Sequence, residues 1–155
     1  VDSPYYIGFK VDYQDIGLAD LKNKNMMKKR DKIIYWVATV WLCLGLMSTA
    51  IIQVFRIKTD GAGGVQNVDH LGYPHYILLL LGLWKILAVI ALLLPKRALL
   101  KEWAYAGIFF TATGALYSHL MVGDAFGLMA PALLYLILIA VSWYFRPAQK
   151  KLSYL

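Results

Sequence analysis

Four blocks of this sequence, residues 33–55, 76–94, 103–122 and 128–145, hold one lysine between them and no arginine, aspartate or glutamate. At 23, 19, 20 and 18 residues, each can cross a hydrocarbon layer as an α-helix, which takes about 20 residues at a rise of about 1.5 Å each. A soluble bundle would carry an apolar stripe on each helix with charges opposite, and these blocks are apolar all round. Barrel strands would be about ten residues long and alternating, and lipid offers no partner to a free backbone N–H or C=O. The whole chain, 60% hydrophobic and 16% charged, departs in the same direction from the roughly 25% charged composition of soluble domains. The predicted fold is therefore an all-α integral membrane protein, an antiparallel four-helix transmembrane bundle.

A net charge of +7 would suit a nucleic-acid binder only if the cations gathered on one surface. They are sorted by topology instead. Thirteen lie on one side: Lys10, Lys22, Lys24, Lys28, Lys29, Arg30 and Lys32 before the first block, Lys96, Arg97 and Lys101 between the second and third, and Arg146, Lys150 and Lys151 after the fourth. The opposite side has Arg56 and Lys58 alone, with Asp124 between the last two blocks. Such asymmetry predicts both termini in the cytoplasm, and no nucleic-acid partner is expected. Residues 1–27 are mixed polar, aromatic and acidic, without a helical period. They read as a cytoplasmic tail, loosely ordered or interfacial, ahead of a membrane domain at 28–155. Because the chain starts with Val and Met26-Met27 stands just before KKRDK, the tail also reads as an alternative-start extension. No cleavable signal precedes Ile33, so the first block is expected to act as an uncleaved anchor.

Prolines fall where helices would end: Pro74 in the first turn of the second span, Pro95 after it, Pro131 in the first turn of the fourth and Pro147 beyond. Small residues predict the helix contacts, with Gly107, Thr111, Ala115, Gly114 and Ser118 along the third span and Gly45 with Thr49 along the first. Cys43, the one cysteine, suits apolar packing and excludes a disulfide framework or thiolate metal site.

Lys85 stands at the centre of the second span. Its insertion costs about 2.5–3.5 kcal/mol, which the span's Leu and Ile residues offset at roughly 0.3–0.6 each. Mid-membrane charges mark pathways, relays or counter-ions; the bland alternative is a hydrogen bond to Thr111, Thr113 or Tyr135 at similar depth, or a snorkelling side chain. His70, His75 and His119 all fall on the outer side, with Asp69 and Asp124 near them in sequence. Imidazole with carboxylate can shuttle protons, hold a metal or hydrogen-bond a quinone head group, while two histidines in one loop are commonly solvated or capping. No spacing matches a zinc pattern, and no metal is assigned. Phosphate-cradling, dinucleotide and serine-nucleophile motifs are absent. A small multidrug exporter would need a carboxylate in its first span, which has only Gln53.

Residues 28–146 resemble the DoxX-like family of small four-span bacterial membrane proteins. The resemblance rests on Leu71-Gly72-Tyr73-Pro74, on Lys85, on Leu100-Lys101-Glu102-Trp103-Ala104-Tyr105-Ala106-Gly107, on Ser118-His119-Leu120-Met121-Val122-Gly123-Asp124 and on Ala130-Pro131-Ala132. It implies a four-helix bundle in the bacterial cytoplasmic (inner) membrane. The family's name comes from association with a thiosulfate to quinone oxidoreductase, so the resemblance also implies a redox setting; the 27-residue tail departs from the pattern. The expected function is a non-catalytic subunit or small-ligand-binding bundle, with quinone the ligand in view, serving a redox-protein partner or assembling with further copies of itself. The alternatives are a quinone-linked oxidoreductase component and a small transporter using Lys85. No catalytic motif or cofactor ligand set is evident; the candidate ligand or charge site is Lys85, His119, Asp124, Thr111 and Tyr135.

Overall fold

The computed structural model describes residues 29–59, 63–95 and 97–147; the tail at 1–27 lies outside them. Five helices account for most of the described chain: α1 (Lys29–Val54), α2 (Val65–His70), α3 (Tyr76–Leu93), α4 (Ala98–Met121) and α5 (Phe126–Tyr144). No strand occurs among the described residues. The four long helices close into a ring in which α1 and α4 each pack against both α3 and α5. Successive helices run antiparallel. Thr39 near the start of α1 meets Ser142 near the end of α5, and Lys101 near the start of α4 meets the Leu92 carbonyl near the end of α3.

Three helices, α1, α3 and α5, are long and apolar enough to cross a membrane. Their outward faces say the same: Trp41, Leu44, Leu87 and Ile137 are 61%, 66%, 61% and 60% exposed, an apolar exterior that water would not tolerate at this extent. Inside the ring, Leu42, Leu46, Val89, Ile108 and Ile139 share the buried core with Cys43. Helices α1 and α3 approach closely at Gly82 of α3, where a Cβ would stand 2.7 Å from Val54 Cγ2 and 3.1 Å from the Ala50 carbonyl.

Several expectations are corrected by these contacts. Helix α4 starts at Ala98, five residues before the expected 103, and carries Lys101 inside it at 1% exposure. Counting charges cut the span short, because a lysine that donates to the Ala91 and Leu92 carbonyls satisfies the last turn of α3 and need not face water. Helix α1 likewise begins at Lys29 rather than 33. Pro131 lies inside α5, whose first residue is Phe126, not in its first turn. The missing N–H forfeits the bond to the Gly127 carbonyl. Pro74 precedes α3, and its carbonyl accepts from the Ile77 N–H. The small-residue strip holds for α1, where Gly45 meets Tyr135, and in α4 it holds at buried Ser118 but fails at Gly107 and Gly114, where a Cβ would meet nothing within 4 Å. The loop before α3 also holds a short helix, α2, which its polar composition concealed.

Candidate functional site

Two helix ends that carry the polar groups of one end of the bundle terminate in the same way. After α2, Gly72 at φ +75° donates to the Asp69 carbonyl while Tyr73 donates to Val68. After α4, Gly123 at φ +76° donates to Leu120 while Asp124 donates to His119. This paired pattern is the Schellman motif, which requires the left-handed conformation that glycine adopts without strain. Its effect is to fold Tyr73 and Asp124 back over their own helices. The Tyr73 hydroxyl then lies 2.8 Å from Ser118 Oγ, and since Ser118 gives its proton to the Gly114 carbonyl, the tyrosine is the donor.

Asp124 bridges two imidazoles, with Oδ2 2.6 Å from His119 Nδ1 and Oδ1 2.7 Å from His70 Nε2. The carboxylate joins the α4–α5 turn to the end of α2. Hydrogen bonds from His119, first, and His70 hold its pKa below the ordinary carboxylate value of 3.8. Both ring nitrogens point at separate oxygens of one carboxylate rather than at a shared centre, and among the described residues no group of three or more His, Cys, Asp or Glu is arranged to hold a metal ion. His75 pairs separately with Asp69.

Deeper in the bundle, Lys85 Nζ donates to Thr49 Oγ1 at 3.1 Å. Gly82, one turn away on α3, sits against Ala50 and Val54, and that close approach brings the lysine stem to α1. Thr49 spends its own proton on the Gly45 and Leu46 carbonyls. The Tyr135 phenol fills the space beside Gly45, one turn from Thr49, where a Cβ would lie 2.9 Å from the oxygen. Thr49 thus serves here as the acceptor for Lys85 rather than only as a small packing residue, and Tyr135 makes no direct bond to the lysine. Thr111 makes no bond to Lys85; its hydroxyl donates to the Gly107 carbonyl of its own helix. Thr113 is likewise turned back, to Phe109 and Phe110. Gln53, one turn above Thr49, is 4% exposed with Oε1 unpartnered.

A third polar group, at the opposite end, was not anticipated. Tyr105 and Ser142 hydroxyls are 2.6 Å apart, Ser142 and Thr39 2.7 Å, and Thr39 donates to the Tyr35 carbonyl at 2.6 Å. The last bond orients the rest: Ser142 donates to Thr39, and Tyr105 to Ser142. Beside this chain Arg146 pairs with Glu102, whose other oxygen accepts from Trp143 Nε1 at 2.9 Å. A hydroxyl in an apolar block was the one sequence signal for Thr39 and Ser142, and nothing in the local pattern distinguishes it from ordinary packing.

The family model described as the DoxX-like family matches residues 37–142, a stretch that runs from the first third of α1 to two residues before the end of α5 and includes Lys85, His119 and Asp124. No curated protein and no solved structure matches the chain.

Proposed function

This chain belongs to the DoxX-like family, and on that premise we propose that it is a four-span protein of the bacterial cytoplasmic membrane, both termini inside, whose bundle binds quinone at Lys85 on behalf of a redox-protein partner. Helix α4 supplies the fourth span. It has 24 residues, about 36 Å at the helical rise, and it packs between two helices that are themselves long and apolar enough to cross. Its charged residues Lys101 and Glu102 are engaged with the ends of α3 and α5. The cation distribution supports the orientation, which places α2 and the His70–Asp124–His119 bridge outside. A reporter active only in the periplasm should be silent at Leu155 and active when inserted near Gly63; the reverse pattern overturns the orientation.

The observation that carries the ligand assignment is the lone neutral partner of Lys85. Among the described residues Thr49 is its one hydrogen-bond partner, and no carboxylate pairs with it. An ammonium in this position has donors left over and a desolvation cost only partly met. A quinone carbonyl is an acceptor carried on an apolar ring, already dissolved in the bilayer. No redox cofactor set is needed for binding, which is why a subunit role fits better than a catalytic one. Thermal unfolding in detergent, with and without a short-chain ubiquinone, tests this. The wild type should gain stability as RT ln(1 + [L]/Kd), about 2.7 kcal/mol at a hundredfold excess over Kd, and Lys85→Met should fold but gain nothing. Equal shifts in both proteins would remove Lys85 as a ligand site.

A further inference from the structure

The outward stripe of α1 changes character along its length. Lys29 and Lys32 are exposed in its first turn and, among the described residues, neither pairs with a carboxylate. Arg30 beside them is engaged with Asp31 at 3.6 Å. Residues three and four apart share a helix face, so the two lysines stand in line with Trp36 and Val37, and these in turn with Trp41 and Leu44. Two open concavities follow that line. One, of about 410 Å³, lies among Lys29, Lys32, Trp36 and Val37, and the next, of about 340 Å³, runs on from Trp36 and Val37 to Trp41 and Leu44. Because they share Trp36 and Val37, they form one groove, cationic at one end and apolar over the rest.

We propose that this groove holds one phospholipid with a net negative headgroup, its phosphate at Lys29 and Lys32 and an acyl chain laid along Trp36, Trp41 and Leu44. Length supports the assignment. The helix rises about 18 Å from Lys32 to Leu44, a little more than half of a hydrocarbon core about 30 Å thick, and Leu44 is the midpoint of the apolar block 33–55. The groove therefore runs from headgroup depth to the bilayer centre, the reach of an acyl chain from one leaflet. Charge decides between a lipid and a protein as the occupant. A second copy seated on this face in the same membrane would set its own Lys29 and Lys32 against these, since a two-fold contact uses the same patch twice, and like charges repel. Lys24 and Lys28, just before α1, have the same sign. An anionic headgroup is the complementary occupant, and each lysine at the membrane surface adds to its attraction. The proposal rests on α1 crossing the membrane, for which it is long and apolar enough, and not on quinone binding at Lys85.

Quenching of tryptophan fluorescence by lipids with brominated acyl chains reads the groove, because bromine quenches only at contact. The full chain is placed in vesicles of phosphatidylcholine and phosphatidylglycerol in equal amounts, with the bromine on one lipid or on the other. Brominated phosphatidylglycerol should quench the wild type more strongly than brominated phosphatidylcholine, and that excess measures the preference. Lys29→Gln and Lys32→Gln should each weaken the preference about fivefold. Arg97→Gln removes an exposed cation at the same end of the bundle, at the start of the helix across the ring from α1, and should leave the preference unchanged. Trp41→Phe should reduce the excess, since one of the two tryptophans in the groove is gone. The proposal is overturned if both brominated lipids quench the wild type equally, as they would were the groove covered by a second copy or by the chain's own tail. It is also overturned if Arg97→Gln lowers the preference as much as Lys32→Gln, which would mark a diffuse surface charge, or if Trp41→Phe leaves the excess intact, which would place the preferred lipid elsewhere on the bundle.

Discussion

The hydroxyl chain Tyr105–Ser142–Thr39 and the Lys85–Thr49 contact are both polar groups inside an apolar bundle, and they differ in how far they are answered. In the first, every proton has an acceptor and the chain ends on a backbone carbonyl, so three helices are tied by a network that asks nothing of a ligand. In the second, a cation meets one neutral hydroxyl that is itself already spent on carbonyls. Burial alone does not separate structure from function. Saturation does: a satisfied network stabilises the fold, and an under-answered charge costs stability until something binds.

The comparison breaks first at Ser142, the middle of the satisfied chain. Ser142→Ala leaves the Tyr105 proton without its acceptor and should cost about 2–3 kcal/mol in equilibrium unfolding, with the quinone-induced shift unchanged. A loss below about 0.5 kcal/mol, less than the usual worth of one hydrogen bond, would show that the chain is not structural. Next in size is Gly82→Ala, whose Cβ would press on Val54 and the Ala50 carbonyl. Overpacking of this kind costs about 1–2 kcal/mol, and by displacing α3 from α1 it should also weaken quinone binding, an effect that Ser142→Ala lacks. Without ligand, Lys85→Met should leave stability unchanged or raise it by no more than about 1 kcal/mol, because one hydrogen bond to a neutral group is lost while desolvation is relieved. A marked loss would place Lys85 with the structural network instead.

The smallest expected effect is at Asp124, a charge answered by two imidazoles in the α4–α5 turn. Its pKa is depressed in the folded protein by His119 and His70, so its contribution is present above the unfolded carboxylate value and is lost as pH falls through the lower folded one. The Tm difference between wild type and Asp124→Asn should therefore persist down to the ordinary value of 3.8 and close below it. A difference that vanishes at neutral pH would mean that the carboxylate does not hold the α2 end.

Legibility in the sequence varied with the range of the interaction. The apolar blocks announced four long helices because length and composition are local properties that lipid or a core must satisfy within each segment. Lys85 was legible because a lone charge in such a block is costly wherever the neighbours lie. Its partner was not, since Thr49, Thr111 and Thr113 are equivalent hydroxyls, each donating to its own backbone, until the helices are docked; close approach at Gly82 brings the first to Lys85. His119 and Asp124 were both named from the sequence, but the bridge to His70 depends on the Gly72 and Gly123 turns.

The sequence by itself determined the helical class, the positions of the helices to within a few residues and the presence of an unneutralised cation in the second span, all consequences of hydrophobicity read one segment at a time. Only the tertiary structure decided that Lys101 belongs inside α4, that the glycines of α4 face outward, and that Arg146 is buried with two donors unanswered among the described residues. Those facts depend on which carbonyl, ring or carboxylate another helix presents, and a hydrogen bond between residues 103 positions apart, such as Thr39 to Ser142, leaves no mark on the pattern around either one.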